Sequence, residues 1–258
     1  MIPMLSDSHT HLDHYTGNEI AGMVQRARDA GVGIIINVGT TIQTSRKAIA
    51  LAAANDIVYA GVGIHPSDIT SPFTDTDYAT LRDLALSHPK VVCIGETGLD
   101  FMPGSPDRSW QTRSFREHIR LAKELRKPVD FHARGAEHDI LPVLRQEHAG
   151  DVGAIWHYFL YDANKAEEAI ALGFYISLAK PLLREPGLQE AVKAIPIERI
   201  VLETDSYPQP FKKNPARRTE PAHVQLVAQK LAELKSLSVA DVSSITTANL
   251  RRALRLSP

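Results

Sequence analysis

Gly33-Ile34-Ile35-Ile36-Asn37-Val38 is a short run dominated by β-branched residues, and its reading sets the pattern for the whole chain. A run this apolar suits a strand covered on both faces, as in a parallel sheet. Similar runs recur on either side of it: Met4 to His9, Val58 to Ile64, Val91 to Glu96, Val129 to His132, Ala154 to His157, Phe174 to Leu178 and Ile200 to Glu203. Between them lie stretches of helical length, such as Glu19 to Ala30, Ser45 to Asn55 and Arg113 to Arg126, with apolar residues every three or four positions. Pro221 to Leu234 and Val239 to Leu254 add two more helical patterns after the eighth run. Strands alternating with helices over 258 residues predict an α/β chain. The expected architecture is one (β/α)8 TIM barrel domain spanning 1–258, preferred over a doubly wound sheet with an appended domain.

Composition narrows the function. Lys and Arg number 29 against 30 Asp and Glu, a net charge of −1 that excludes tight, non-specific wrapping of duplex nucleic acid. A polyanion would have to be gripped locally. The lone cysteine, Cys93, lies in Val91-Val92-Cys93-Ile94 and can form neither an intrachain disulfide nor a thiolate-rich metal site. It is expected in the core. The opening Met1-Ile2-Pro3-Met4-Leu5-Ser6-Asp7 has neither the basic region of a signal peptide nor a membrane-spanning apolar run, so a cytoplasmic protein without membrane association is expected. No obligate protein partner is inferred.

In a barrel of this type the chemistry sits at the carboxyl ends of the strands. Those ends are rich in histidine and carboxylate. The first strand runs into Asp7-Ser8-His9-Thr10-His11-Leu12-Asp13, where the two-residue period of extended chain turns His9 and His11 to one side. The third strand leads to His65, the fourth to Glu96, the fifth to His132, the sixth to His157 and the eighth to Asp205. Any one of these histidines alone reads as a hydrogen-bonded structural residue. Converging on one mouth, they would be costly to desolvate without a compensating charge, and a divalent cation supplies it. Imidazole nitrogen with carboxylate oxygen suits Zn, Mn, Fe, Co or Ni better than Ca or Mg. His9, His11, Glu96, His132, His157 and Asp205 exceed the needs of one tetrahedral site. Two divalent ions bridged by Glu96 and a water are therefore expected, with Zn, Mn, Co, Ni or Mg as candidate identities. Asp205 is assigned as the base that takes a proton from the attacking water. Asp7, two residues before His9, is either an orienting partner for an imidazole or a polar group of the barrel interior.

Rival motifs fail. Gly61-Val62-Gly63-Ile64-His65-Pro66 has a proline where a dinucleotide fingerprint needs its third glycine. There is no phosphate loop, no His-Glu-x-x-His and no Gly-x-Ser-x-Gly.

The mouth is locally basic. Lys212, Lys213, Arg217 and Arg218 follow Asp205, and Arg134, Lys180 and Arg184 follow the fifth and seventh strands. Such a distribution suits an anionic substrate, phosphate first. His65 joins the expected substrate contacts. Tyr158, Phe159 and Tyr161 could stack a base or ribose, with core packing expected for at least one of them.

These residues resemble the TatD-type metal-dependent deoxyribonucleases, a branch of the amidohydrolase-like barrels. Asp7-Ser8-His9-Thr10-His11-Leu12-Asp13 is similar to the family's opening signature, Gly63-Ile64-His65-Pro66 to its third-strand motif and Gly95-Glu96-Thr97-Gly98-Leu99-Asp100 to its central signature. Gln111, Phe115 and the run Leu121 to Arg134 resemble its fourth-helix and fifth-strand block, and Leu202-Glu203-Thr204-Asp205 its last-strand motif. The resemblance implies a two-metal hydrolase on the six ligands above. Two departures stand at the mouth: His157-Tyr158-Phe159-Leu160-Tyr161 replaces the family's His-Cys-Phe, small residue and glycine, and Arg218-Thr219-Glu220-Pro221 replaces Arg-Asn-Glu-Pro. The resulting expectation is a metal-dependent phosphodiester hydrolase, a TatD-like exonuclease on single-stranded DNA or small nucleotide-like esters. The alternatives are an amide, lactone or carboxyl-ester hydrolase on the same cage, because that site can equally polarise a carbonyl, and a non-catalytic metal-dependent binding protein.

Overall fold

The computed structural model describes residues 4–209 and 218–256. Eight parallel strands stand in sequence order: β1 Leu5–Thr10, β2 Val32–Val38, β3 Val58–Val62, β4 Val91–Asp100, β5 Val129–Arg134, β6 Ala154–Trp156, β7 Tyr175–Leu178 and β8 Ile200–Leu202. Between and after them run α1 Gly17–Asp29, α2 Ile42–Ala54, α3 Asp75–Leu86, α4 Arg108–Leu125, α5 Ile140–Gln146, α6 Ala163–Ala171, α7 Pro186–Ala194, α8 Val224–Lys235 and α9 Val239–Ala253. The expected (β/α)8 barrel is what the chain forms. No helix among the described residues is long and apolar enough to cross a membrane.

Local sequence starts the helices where the barrel needs them. Thr16 accepts the Glu19 N–H while the Glu19 side chain accepts the Thr16 N–H, a capping box that starts α1 just beyond the first strand end. Ile20, Met23, Val24 and Ala27 then fall on one buried stripe. Asp107 caps α4 through the N–H groups of Ser109 and Trp110, and Arg126 ends that helix in the left-handed conformation at φ 54°.

Strand alternation divides the core. Ile34, Ile36 and Val38 pack with Cys93, Ile155 and Val201, with Leu250 of α9 and with Leu254 just beyond its end, whereas Ile35 belongs to the larger cluster shared with the outer helices. The first set fills the barrel interior, with α9 at its floor. Cys93 is buried there as a free thiol, as expected. α9 is tied to the strand starts by Asn249 Nδ2, which donates to the carbonyls of Ile197 and Ile200 at 2.7 and 2.8 Å.

One strand differs from its expected extent. β4 does not stop at Glu96 but runs on to Asp100, because after a register shift between Ile94 and Thr97 the segment Thr97–Asp100 pairs with Phe131–Arg134 of β5. Gly98 makes this approach feasible, since a Cβ there would run into the His132 carbonyl. Glu96 thus projects from within the strand, at the register shift itself, with its N–H on the Gly39 carbonyl at 3.1 Å.

The barrel closes over a short seam. β8 meets β1 through the Asp205 N–H on the His9 carbonyl (3.0 Å), the His11 N–H on the Ser206 carbonyl (2.8 Å) and a bridge between Thr10 and Ser206. Three of the residues that close the barrel, His9, His11 and Asp205, are themselves expected metal ligands.

Candidate metal centre

The six expected ligands converge. His9 Nε2 and His11 Nε2 lie 3.3 Å apart, each 3.4 Å from Glu96 Oε2, and Asp205 Oδ1 is 3.5 Å from His11 Nε2. On the other side of the same carboxylate, Glu96 Oε1 is 3.4 Å from both His132 Nδ1 and His157 Nε2 and 3.3 Å from His65 Nε2. A tetrahedron whose corners sit about 2.1 Å from its centre has edges of about 3.4 Å, so these spacings match those of ligands around a shared Zn-sized cation. Donor groups of His9, His11 and Glu96, of His9, His157 and Asp205, and of His65, Glu96 and His132 each gather within 4.8 Å of one another. The donor set therefore fits divalent cations.

Each imidazole is aimed by the nitrogen that does not face the cluster. His9 Nδ1 bonds to Asp130 Oδ1 at 3.0 Å and His11 Nδ1 to the Val38 carbonyl at 3.1 Å, leaving Nε2 of each pointing inward. His157 Nδ1 approaches Glu203 Oε1 at 3.1 Å, without the alignment of a hydrogen bond. His132 Nε2 meets Asp100 Oδ2 at 3.3 Å. Asp100 is itself clamped: Gln111 accepts its N–H and donates to its carbonyl, both at 2.8 Å. His65 differs from the others, because its Nδ1 accepts the Ser67 N–H at 3.1 Å. A neutral His65 then carries its proton on Nε2 and offers a donor, not a lone pair, to the centre.

Burial makes these groups depend on one another. Burial disfavours charge on Glu96, yet His65, His157 and His9 hold its carboxyl well below the usual carboxylate range. Against the same burial, the hydrogen bond to His11 and the neighbouring imidazoles bring Asp205 down to about 2. Burial is likewise overcome at His9 by Asp130 and Glu96, which raise it, and at His132 by Asp100 and Glu96, which raise it to about 9. Imidazole protons thus sit where cations would compensate the same carboxylates.

Asp7 contacts no imidazole side chain. Its Oδ1 accepts the Thr204 N–H at 2.9 Å and its Oδ2 the Thr204 hydroxyl at 2.5 Å, so of its two readings the barrel-interior one holds and Asp130 orients His9 instead. Asp100, Asp130 and Glu203 were not singled out from sequence. The available signal was a carboxylate inside an apolar run: Asp130 two residues before His132, Glu203 two before Asp205.

The mouth holds a cavity of about 510 Å³ over His11, His65 and Glu96, and one of about 460 Å³ whose lining includes Arg134, Tyr158, Lys180 and Arg184. Phe159 is buried against Trp156, and Tyr161 donates its hydroxyl to the Ala133 carbonyl at 3.0 Å and lines a separate side cavity, which leaves Tyr158 as the aromatic of the three that lines the cavity over His132 and His157. Arg218 lies apart, in a smaller cavity beside α1, 3.8 Å from Glu19. Its neighbour Thr219 accepts from Lys180 Nζ, and Glu220 forms a two-oxygen ion pair with Arg26. Lys212, Lys213 and Arg217 lie outside the described residues.

A (β/α)8 barrel with a His-x-His pair at β1 and a carboxylate of β4 shared between two imidazole sets at its carboxyl mouth defines a metal-dependent hydrolase of amidohydrolase-like architecture. The chain matches the model of the TatD related DNase family over residues 6–255, and it belongs to that family. It is 36% identical over 260 residues to the metal-dependent hydrolase YabD of Bacillus subtilis, covering 98% of this chain and 100% of that protein. To the 3'-5' ssDNA/RNA exonuclease TatD of Erwinia tasmaniensis it is 32% identical over 242 residues, 91% of this chain and 93% of that protein. Among solved structures, YJJV, a TatD homolog from Escherichia coli, superposes with a TM-score of 0.90 at 25% identity over the whole of both chains.

Proposed function

We propose that this chain hydrolyses phosphodiester bonds in single-stranded DNA or small nucleotide-like esters, as an exonuclease, with two divalent cations held on either side of Glu96. The observation that carries the reading is the division of one buried carboxylate between two imidazole sets, at the floor of a mouth rimmed by Arg134, Lys180 and Arg184. The exonuclease name of the Erwinia relative supports the choice of substrate.

His9, His11 and Asp205 would hold one cation, His132 and His157 the other, and Glu96 both. When bound, such ions polarise a phosphoryl oxygen and make a water acidic enough to attack at neutral pH. Asp205 accepts the proton of that water. Its left-handed backbone, at φ 50°, turns the chain at the barrel seam, and its Oδ1 sits at the edge of the ligand cluster. His65 donates its Nε2–H to a phosphoryl oxygen, the tautomer following from the Ser67 N–H on Nδ1. Arg134 and Tyr158 contact the substrate beside the reacting phosphate, and Lys212, Lys213 and Arg217 contribute positive charge to its binding, whereas Arg218 is turned to Glu19. A cytoplasmic setting goes with this reading and with the unpaired thiol of Cys93.

The test is a panel of single-stranded oligonucleotide, phosphomonoester, lactone and amide substrates, assayed with protein reloaded with Zn, Mn, Co, Ni or Mg, alongside metal analysis. Phosphodiester cleavage with a KM that rises with salt is expected, because exposed ion contacts weaken as the Debye length shrinks from about 10 Å at 0.1 M. A salt-insensitive KM, with lactone or amide turned over far faster than any phosphate ester, would overturn the proposal.

A further inference from the structure

A further cavity of about 520 Å³ opens beside the 460 Å³ one that reaches His132, His157 and Asp205, between the loops that follow β6 and β7. Tyr158, Leu160 and Arg184 line both and form the partition between them. The side cavity is walled by Leu160, Pro181 and Leu188 and edged by Asp162 and Glu185. The chain maintains this partition in an unfavourable conformation. Tyr158 holds φ at 49°, a region that an aromatic residue rarely adopts, and its N–H is pinned by the buried Glu203 Oε1 at 2.8 Å. The twist leaves His157 facing the ligand cluster while the next side chain lines the partition. Leu160 is left 51% exposed, a large aliphatic group on an open wall. Arg184 also projects there, 67% exposed in its side chain and 3.2 Å from Glu185.

The geometry points to this side cavity as the seat of a nucleobase, the one adjoining the phosphate that is cleaved. The base lies against Tyr158 and the aliphatic wall, while the Arg184 guanidinium bridges to the phosphate chain. An aromatic face, aliphatic side chains and a guanidinium at the boundary suit a planar group tethered to an anion. A purely apolar ligand would ask for a lining without Asp162, Arg184 and Glu185. A base can enter only when it is unpaired and unstacked, so the cavity selects single strands and frayed ends over intact duplex. This inference rests on the phosphodiester reading and deepens it. It also gives a role to the bulky segment 158–161, which departs from the family's pattern.

The test compares two single-stranded oligonucleotides of equal length and charge, one complete and one abasic at the nucleotides flanking the cleaved bond. Wild-type protein should show a KM lower by about tenfold or more for the complete strand, within the range measured for base stacking on one aromatic side chain. Gly187, near the start of α7, lines the side cavity, and a Cβ added there meets nothing within 4 Å. Gly187→Phe should fill the space, abolish the preference and leave cleavage of the abasic strand unchanged. Tyr158→Ala should also abolish the preference, by raising KM for the complete strand. Equal KM values for the two strands in wild type, or a preference that survives Gly187→Phe, would overturn the inference while sparing the phosphodiester reading. If no phosphodiester is cleaved, that reading falls, and the cavity is then judged by binding. A 2-aminopurine nucleotide should be quenched by wild type and not by Gly187→Phe, and absence of quenching in wild type overturns the side-cavity assignment.

Discussion

The carboxyl of Asp7 spans the barrel seam to Thr204, accepting both its N–H and its hydroxyl. In this way a side chain of β1 supplies the bonds that a longer ladder to β8 would otherwise make. Burial pushes Asp7 up to about 8, against the lowering effect of Thr204. Geometry therefore matters more here than charge. Asp7→Asn retains an acceptor and offers an amide donor to the Thr204 oxygen, so urea unfolding at pH 7 should place it within about 1 kcal/mol of wild type. Asp7→Ala leaves the buried Thr204 N–H unpaired, while the Thr204 hydroxyl keeps Ser206 Oγ at 2.5 Å, and should lose about 2 kcal/mol. Equal losses in the two variants would show that the seam does not depend on this contact.

Metal uptake should expel protons. Without metal, His132 is raised to about 9, and His9 and His11 are raised as well, so at pH 7 the cluster carries imidazole protons that ligation must displace. Affinity for Zn should consequently fall as pH drops. Titration calorimetry in two buffers of different ionisation enthalpy at pH 7 should give heats that differ in proportion to the protons released. Identical heats would contradict the ionisation described for the cluster.

Asp205→Asn keeps the shape of the side chain and removes the proton acceptor. Turnover should fall by about 100-fold or more, with the fold and the cation between Glu96, His132 and His157 retained. The check is kcat together with metal content. Near-normal kcat at full occupancy would remove Asp205 from proton transfer.

His118 is buried and neutral: its Nε2 accepts the Ile64 N–H at 3.0 Å, and its Nδ1 donates to the Ser114 carbonyl at 2.7 Å. Burial lowers it to about 4, below the ordinary 6.5, despite the raising effect of Ser114. A group whose folded value is depressed contributes stability above the unfolded value, and that contribution is lost as pH falls from 6.5 through 4. The full effect is about 3 kcal/mol. His118→Gln should be less stable at pH 7.5, but its urea midpoint should fall less steeply between pH 6.5 and 4 than that of wild type. Parallel curves would refute the assignment.

The eight strands, and the convergence of the candidate ligands His9, His11, Glu96, His132, His157 and Asp205, were legible because they follow from local rules. β-branched runs mark buried parallel strands, and in a barrel a polar residue ending such a run has only the mouth to face. Strand extent was less legible. β4 continues past Glu96 because β5 lies alongside it and Gly98 allows the contact, neither of which local propensity encodes.

Partnership within the barrel was decided by tertiary structure alone. Asp7, Asp130 and Glu203 each stand two residues before a candidate ligand in sequence, which suggests three similar orienting pairs. In the fold, Asp130 of β5 reaches His9 of β1, Glu203 beyond β8 lies beside His157 after β6, and Asp7 binds Thr204. The two-residue period tells which side chains point inward. Which of them meet depends on how strand stagger and tilt stack them across the closed barrel, a property of all eight strands together.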